Sequence, residues 1–172
     1  MYGKTVMSLL IRKKKAMTSQ DINKLFREKG LTLGSVESFT GGLFAKEITS
    51  VSGASHFFKG ALVTYATEEK NRLLGISYDD IDQYGVVSEE VALQMAKKGQ
   101  EVLNVDVCVS FTGNAGPDAM EGKPVGQIYI GIAYFEQVEA YSFLLKGSRE
   151  DIQKEGVNNA LRILAKKISQ KY

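Results

Sequence analysis

Residues 105–113, VDVCVSFTG, constrain the fold more than any other stretch. They read as an apolar β-strand, the pattern of a strand covered on both faces rather than one. Such a strand needs helices above and below it, which points to an α/β domain. The neighbouring sequence supplies them. SEEVALQMAKKGQEVL, just before the strand, reads as a helix capped by Ser88, with Glu89 and Glu90 favouring its positive end.

Upstream, TSQDINKLFREKG reads as a helix. Thr18 is its N-cap, Asp21 sits in the third position, Ile22, Leu25, Phe26 and Lys29 form a stripe, and Gly30 is the stop. LTLGSVE (31–37) reads as a strand, and TGGLFAKEITSV as a helix burying Leu43, Phe44, Ile48 and Val51. SGAS is a loop, HFFKGALVTYA (56–66) a strand, and EEKNRLLG a short helix ending at Gly75. The segment before Ser88 reads as a loop. After the long loop NAGPDAMEGKPVG, QIYIGIAYF and EAYSFLLKG form a hairpin around Glu136–Gln137. A last helix, from about Ser148 to Ile168, presents Ile152, Val157, Leu161, Leu164 and Ile168 to the core. Strand–helix alternation followed by consecutive strands predicts a three-layer α/β/α sandwich with a mixed, mainly parallel sheet and an antiparallel pair.

The 172 residues suit one domain, here 18–172, preceded by an N-terminal extension at 1–17 for which a helix is the candidate conformation. Arg12–Lys15 reads as a solvated basic turn following an apolar run, the wrong order for a secretory signal. A net charge of +2 gives no electrostatic case for nucleic acid, and no apolar run approaches membrane-spanning length. One cysteine, Cys108, reads as an inert core thiol, and the absence of a disulfide framework fits a cytoplasmic setting. With His56 the only histidine, no His/Cys metal site can be assembled, and the chain is read as needing no metal or cofactor.

Ligands of open α/β sheets gather at the carboxyl ends of strands. Four such ends are polar here: ESFTGG, TYATEEK, FTGNAGPD and KGSR. In ESFTGG the glycines would let an anion or carbonyl oxygen approach helix-start amides beside a hydroxyl nucleophile. The same residues also suit a plain Ser/Thr cap, and neither GxSxG nor a P-loop is present. A serine nucleophile needs a base, and His56 begins a strand away from these ends. Lys70, five residues after Tyr65, could replace histidine if burial lowers its pKa, with Tyr65 relaying a proton or holding the serine hydroxyl. Solvated-helix and half-buried-aromatic roles remain open for these two. In FTGNAGPD, Thr112, Asn114 and Asp118 offer hydrogen bonds, with Lys123 and Arg149 the nearest cations. Arg149 stands in a first helical turn, where a cation is electrostatically unfavourable.

Together, VESFTGGLFAKEITSVSGASHFFKGALVTYATEEKNRLLGI, GVVSEEVALQMA and FTGNAGPD…GKPVGQIYIGIAY resemble the CinA C-terminal domain family, over residues 18–168. That family includes the nicotinamide mononucleotide (NMN) amidohydrolases. The resemblance implies an α/β/α domain that converts NMN to nicotinic acid mononucleotide and ammonia without a metal. It implies Ser38 as nucleophile with Tyr65 and Lys70 as catalytic partners. Thr40, Thr112, Asn114 and Arg149 would hold ribose and phosphate, while amides at Thr40–Gly42 or Gly113–Asn114 would hold the oxyanion. Glu37 would orient Lys70 or the loop. The resemblance also implies a homodimer, and the stand-alone form rather than the second half of a longer chain.

The chain departs from the family pattern at Ala66 and Thr67, at Thr112, at Ala119–Met120, and at Gln153, where a second arginine is usual. These departures bear on substrate grip more than on chemistry. They keep two alternatives in view: a non-catalytic nucleotide-binding or interaction module, and an amidohydrolase acting on another pyridine nucleotide.

Overall fold

The computed structural model describes residues 16–170. Most of the expected extension at 1–17, with its basic cluster Arg12–Lys15, lies outside the described residues. Met17, inside them, packs against the core.

Among the described residues six α-helices and five strands follow in the order α1 (Ser19–Lys29), β1 (Leu33–Glu37), α2 (Leu43–Thr49), β2 (Phe58–Val63), α3 (Thr67–Leu74), α4 (Tyr78–Tyr84), α5 (Glu89–Leu103), β3 (Val107–Gly113), β4 (Gln127–Tyr134), β5 (Gln137–Leu144) and α6 (Arg149–Gln170). The sheet order is β2-β1-β3-β4-β5. The crossovers make β1 parallel to both β2 and β3, while β4 and β5 run antiparallel to their neighbours. The antiparallel part is thus larger than one hairpin. No helix interrupts 114–126, so nothing carries the chain back to start β4 parallel to β3.

One face of the sheet is covered by α1, α2 and α6, whose Phe26, Phe44, Ile152 and Leu164 meet Val107, Phe111 and Ile130. The other is covered by α3, α4 and α5, where Leu74, Ile81, Val91 and Met95 meet Val36 and Cys108. The fold is the α/β/α sandwich expected, and β1 and β3 are buried along almost their whole length. Helix α5 lies close against the strands because no side chains intervene. A Cβ on Gly99 would stand 2.3 Å from Val36, and one on Gly131 would stand 2.3 Å from the Ala92 carbonyl. No helix among the described residues is long and apolar enough to cross a membrane.

Local signals set most boundaries. Thr18 and Asp21 form a reciprocal capping box, and Gly30 ends α1 in the left-handed region. Ser88 caps α5 by accepting the Val91 amide. Local expectations also change, among them the start of β2, which begins at Phe58 after a 3-10 turn at Ala54–His56 rather than at His56. The segment before Ser88 contains a helix, α4, capped by Ser77. And α2 begins at Leu43 rather than Thr40, because Gly41 (φ 58°) and Gly42 (φ 99°) hold the chain in a left-handed turn first.

Candidate active site

The site grows from the carboxyl ends of the three parallel strands. Glu37 pairs with Val63 on one side and Phe111 on the other. The ladder runs one step further, since Thr64 N donates to Glu37 O (2.9 Å) and Ser38 N donates to Phe111 O (3.0 Å). Ser38, Thr64 and Thr112 therefore stand side by side. Strand alternation turns them to the face that Val36 and Leu62 present to α5, and Glu37 to the opposite face, beneath α2.

Glu37 is fully buried. Its carboxylate accepts the amides of Gly42 (3.0 Å), Phe44 (3.1 Å) and Ala45 (2.9 Å) and the hydroxyl of Ser35 (3.3 Å). A carboxylate from the preceding strand thus does the work of a side-chain N-cap, satisfying orphan amides at the positive end of α2. Thr40, an expected capping residue, does not do so; its buried hydroxyl has no hydrogen-bond partner among the described residues. Glu37 makes no bond to Lys70; it fixes the turn that carries Ser38.

Lys70 enters from the fourth position of α3 and is 1% exposed. Its Nζ donates to Ser38 Oγ at 3.2 Å and to the Thr64 carbonyl at 2.9 Å. Burial pulls its pKa from 10.5 down to about 8, against the opposing pull of Glu121 and Glu68. A substantial neutral fraction near pH 8 makes it a competent base. His56 is exposed on a 3-10 turn (Ala54–His56) ahead of β2 and does not line the cavity over Ser38. Cys108 is buried, and burial pushes its thiol pKa up, as expected for an inert core residue. Among the described residues no cluster of three metal-ligating side chains occurs.

A cavity of about 440 Å³ opens above Ser38 and Lys70, walled by Phe39, Val86, Val87, Thr112 and the loop 113–118, with Tyr65, Met120 and Arg149 at its mouth. Tyr65 is 58% exposed, and its hydroxyl accepts from Arg149 (2.7 Å) rather than meeting Ser38 or Lys70. Arg149 also donates to the Gly116 carbonyl at 2.5 Å, tying α6 to two loops. Thr112 donates to the Val86 carbonyl. Asn114 accepts the Gly116 amide and donates to the Lys123 carbonyl, so its side chain organises its own loop.

Several amides expected to face an oxyanion are engaged elsewhere. Gly41 N donates to Ser38 O, Gly42 N to Glu37, and Asn114 N to Gln127 O. The amides of Phe39 and Thr40 form no hydrogen bond among the described residues. Gly113 packs against Ile128, where a Cβ would stand 2.6 Å from that side chain.

Glu121 escaped the sequence reading, and Lys123 and Gln153 entered it in other roles. Glu121 accepts the consecutive amides of Val86 (2.9 Å) and Val87 (3.1 Å), which fixes one cavity wall. Lys123 donates to the Val87 carbonyl from the same loop. Gln153, noticed only as a missing arginine, donates to the carbonyl of Phe39 at 2.8 Å. Only a serine-to-helix turn lying near a loop carboxylate could have hinted at these bonds, and their sequence separations hide them.

A model of the CinA C-terminal domain matches residues 15–168. A competence-damage inducible protein of Bacillus subtilis is 41% identical over 145 residues, 84% of this chain and 35% of the relative. One from Limosilactobacillus fermentum is 43% identical over 150 residues, 86% of this chain and 36% of the relative. The chain thus spans about a third of the length of the curated relatives it matches. Among solved structures, the competence/damage inducible protein CihA of Agrobacterium tumefaciens superposes with a TM-score of 0.84 at 30% identity, over 88% of this chain and 93% of that one. The competence damage-inducible protein A (ComA) of Klebsiella pneumoniae shares the fold, with a TM-score of 0.87 at 23% identity over 90% and 96% of the two chains.

Proposed function

The chain belongs to the CinA C-terminal domain family, and from that footing we propose that it is a serine amidohydrolase that releases ammonia from the carboxamide of NMN. The observation that carries the reading is the buried Lys70 Nζ bonded to Ser38 Oγ at 3.2 Å beneath a cavity. A lysine ammonium is costly to bury and gives little to stability there, whereas a lysine with lowered pKa against a serine hydroxyl is a nucleophile with its base.

In the proposed reaction neutral Lys70 takes the proton of Ser38 as Oγ bonds to the carboxamide carbon. The carbonyl oxygen becomes an oxyanion, held by the amides of Phe39 and Thr40, which have no other partner among the described residues. The intermediate collapses, the C–N bond breaks, and Lys70 returns its proton to the leaving nitrogen as ammonia forms. Water then attacks the ester carbon and yields its proton to Lys70, which passes it to Ser38 Oγ as the carboxylate product departs. Glu37 positions the turn. Thr112, Asn114, Tyr65 and Arg149 surround the remainder of the nucleotide, with Tyr65 and Arg149 toward its phosphate. A homodimer in a cytoplasmic setting belongs to the same proposal.

A second reading, an amidohydrolase for another pyridine nucleotide, is favoured by Gln153, which bonds Phe39 instead of offering a second cation. One panel tests both. Purified protein and Ser38→Ala are given NMN, nicotinamide riboside and other pyridine nucleotides, and ammonia is measured. Turnover of NMN that Ser38→Ala abolishes is expected. Release surviving Ser38→Ala removes the nucleophile assignment, and saturable binding without turnover identifies a binding module.

A further inference from the structure

Ser38 and Lys70 account for one of the two hydroxyls that the register sets on the buried side of β1 and β2. The other is Thr64. It is 0% exposed, and its Oγ1 has no hydrogen-bond partner among the described residues. A buried hydroxyl without a partner opposes folding, and such groups persist where they act in function. Thr64 also supplies, through its carbonyl, one of the two acceptors of Lys70 Nζ, the other being Ser38 Oγ. An ammonium has three N–H groups, so these two acceptors leave one unanswered.

We propose that Thr64 is a positioning residue for the reaction, its Oγ1 taking the third N–H of Lys70 when Lys70 carries the proton removed from Ser38. The inference rests on Lys70 serving as the base for Ser38. Lys70 Nζ already lies 2.9 Å from the Thr64 carbonyl, and the proposed contact needs a χ1 rotation that brings Oγ1 to that nitrogen. With neutral Lys70 the lone pair faces Ser38, one N–H meets the Thr64 carbonyl, and the second offers Oγ1 only a weak, uncharged bond. With the ammonium, all three hydrogens find oxygen, and the bond to Oγ1 is charge-assisted and roughly twice as strong. The hydroxyl therefore favours the protonated lysine of the tetrahedral intermediate over the resting base, which is the sense needed to lower the barrier.

The charges acting on Lys70 are Glu68 on its own helix and Glu121 from the 114–126 loop. Tyr65, Asp118 and Arg149 line the same cavity. Helix α5, packed against α3, carries Glu89, Glu90, Lys97, Lys98 and Glu101, none of them buried. Glu37 lies on the other face of the sheet and is bonded to α2. None of these groups is altered by exchanging Thr64 for valine, which keeps the shape and removes the hydroxyl.

The test titrates Lys70 directly. The full chain is labelled with 13C-lysine, the Lys70 Cε resonance is assigned by its loss in Lys70→Met, and its midpoint is read in wild type, Thr64→Ser and Thr64→Val. Thr64→Ala serves as a second hydroxyl-free variant if valine does not fold. The midpoint is expected to fall in Thr64→Val by about one pH unit, a roughly tenfold loss of proton affinity for one charged hydrogen bond, and to return in Thr64→Ser. The acid limb of kcat/KM for NMN should move down by the same amount while the plateau falls about tenfold. A midpoint unchanged or raised in folded Thr64→Val overturns the proposal, as does a loss of thermal stability with the midpoint unmoved. Absence of turnover in wild type would sink the functional reading, while the titration would still decide the role of Thr64.

Discussion

Replacing Lys70 with methionine separates what the site costs from what it does. Lys70 is 1% exposed, and its pKa lies at about 8 against 10.5 in the unfolded chain. At about 1.4 kcal/mol per pH unit, holding the ammonium inside costs the folded state roughly 3 kcal/mol at neutral pH. Methionine fills a similar volume without charge but leaves the Thr64 carbonyl without its donor, a loss of about 1–3 kcal/mol. The net effect at pH 7 is therefore between zero and a gain of about 2 kcal/mol, while the proposed ammonia release should be abolished. The pH dependence is sharper. Between about 8 and 10.5 the unfolded chain still holds a proton that the folded one has released, so wild-type stability climbs with pH relative to the variant. From pH 7 to 9.5 the difference should move by about 2 kcal/mol in favour of wild type. Urea unfolding at both pH values, followed by far-ultraviolet circular dichroism because the chain has no tryptophan, measures it, and other titrating groups cancel in the difference. A stability difference constant between the two pH values would refute the claim that burial depresses Lys70.

Three further outcomes follow from other parts of the structure. Glu37→Gln turns an amide NH2 toward the donors of Gly42, Phe44, Ala45 and Ser35; it should lower stability by about 2–4 kcal/mol in urea unfolding and depress ammonia release as the Ser38 turn loosens. Gly99→Ala forces a Cβ to 2.3 Å from Val36 and 2.9 Å from Cys108 Sγ, so unfolding should show a loss of about 1–3 kcal/mol. Gln153→Ala frees the Phe39 carbonyl; kcat should fall about 10–100-fold with KM little changed, because the misplaced group is the Thr40 amide proposed for the oxyanion rather than a substrate grip.

What could be read in the sequence was whatever is settled within a few residues. Thr18 and Asp21 stand three apart and cap α1 as expected, and Ser88 caps α5 in the same way. The apolar content of 107–113 announced a strand covered on both faces. Helix α4 went unread because Ile81 is its one buried residue, too little for a helical period. The start of α2 was misread because its amides are satisfied by Glu37 from the strand before, not by a residue at the N-cap. At the candidate site, residue types were legible while bonds were not. Ser38 and Lys70 are 32 residues apart, Tyr65 and Arg149 are 84 apart, and Glu121 reaches amides 34 and 35 residues away. Such pairings depend on which strand ends the sheet sets side by side, and local pattern carries no record of that.

The carboxylate of Glu37 beneath α2 has an evolutionary consequence. Many strand–glycine–helix turns leave their positive end for a ligand to neutralise, so the turn and the ligand must change together. Here the neutralising group is built into the chain. A lineage carrying this turn is free to exchange residues that line the cavity, as at Thr67, without rebuilding the turn that carries Ser38. The walls of the cavity can vary while the turn beneath it stays as it is.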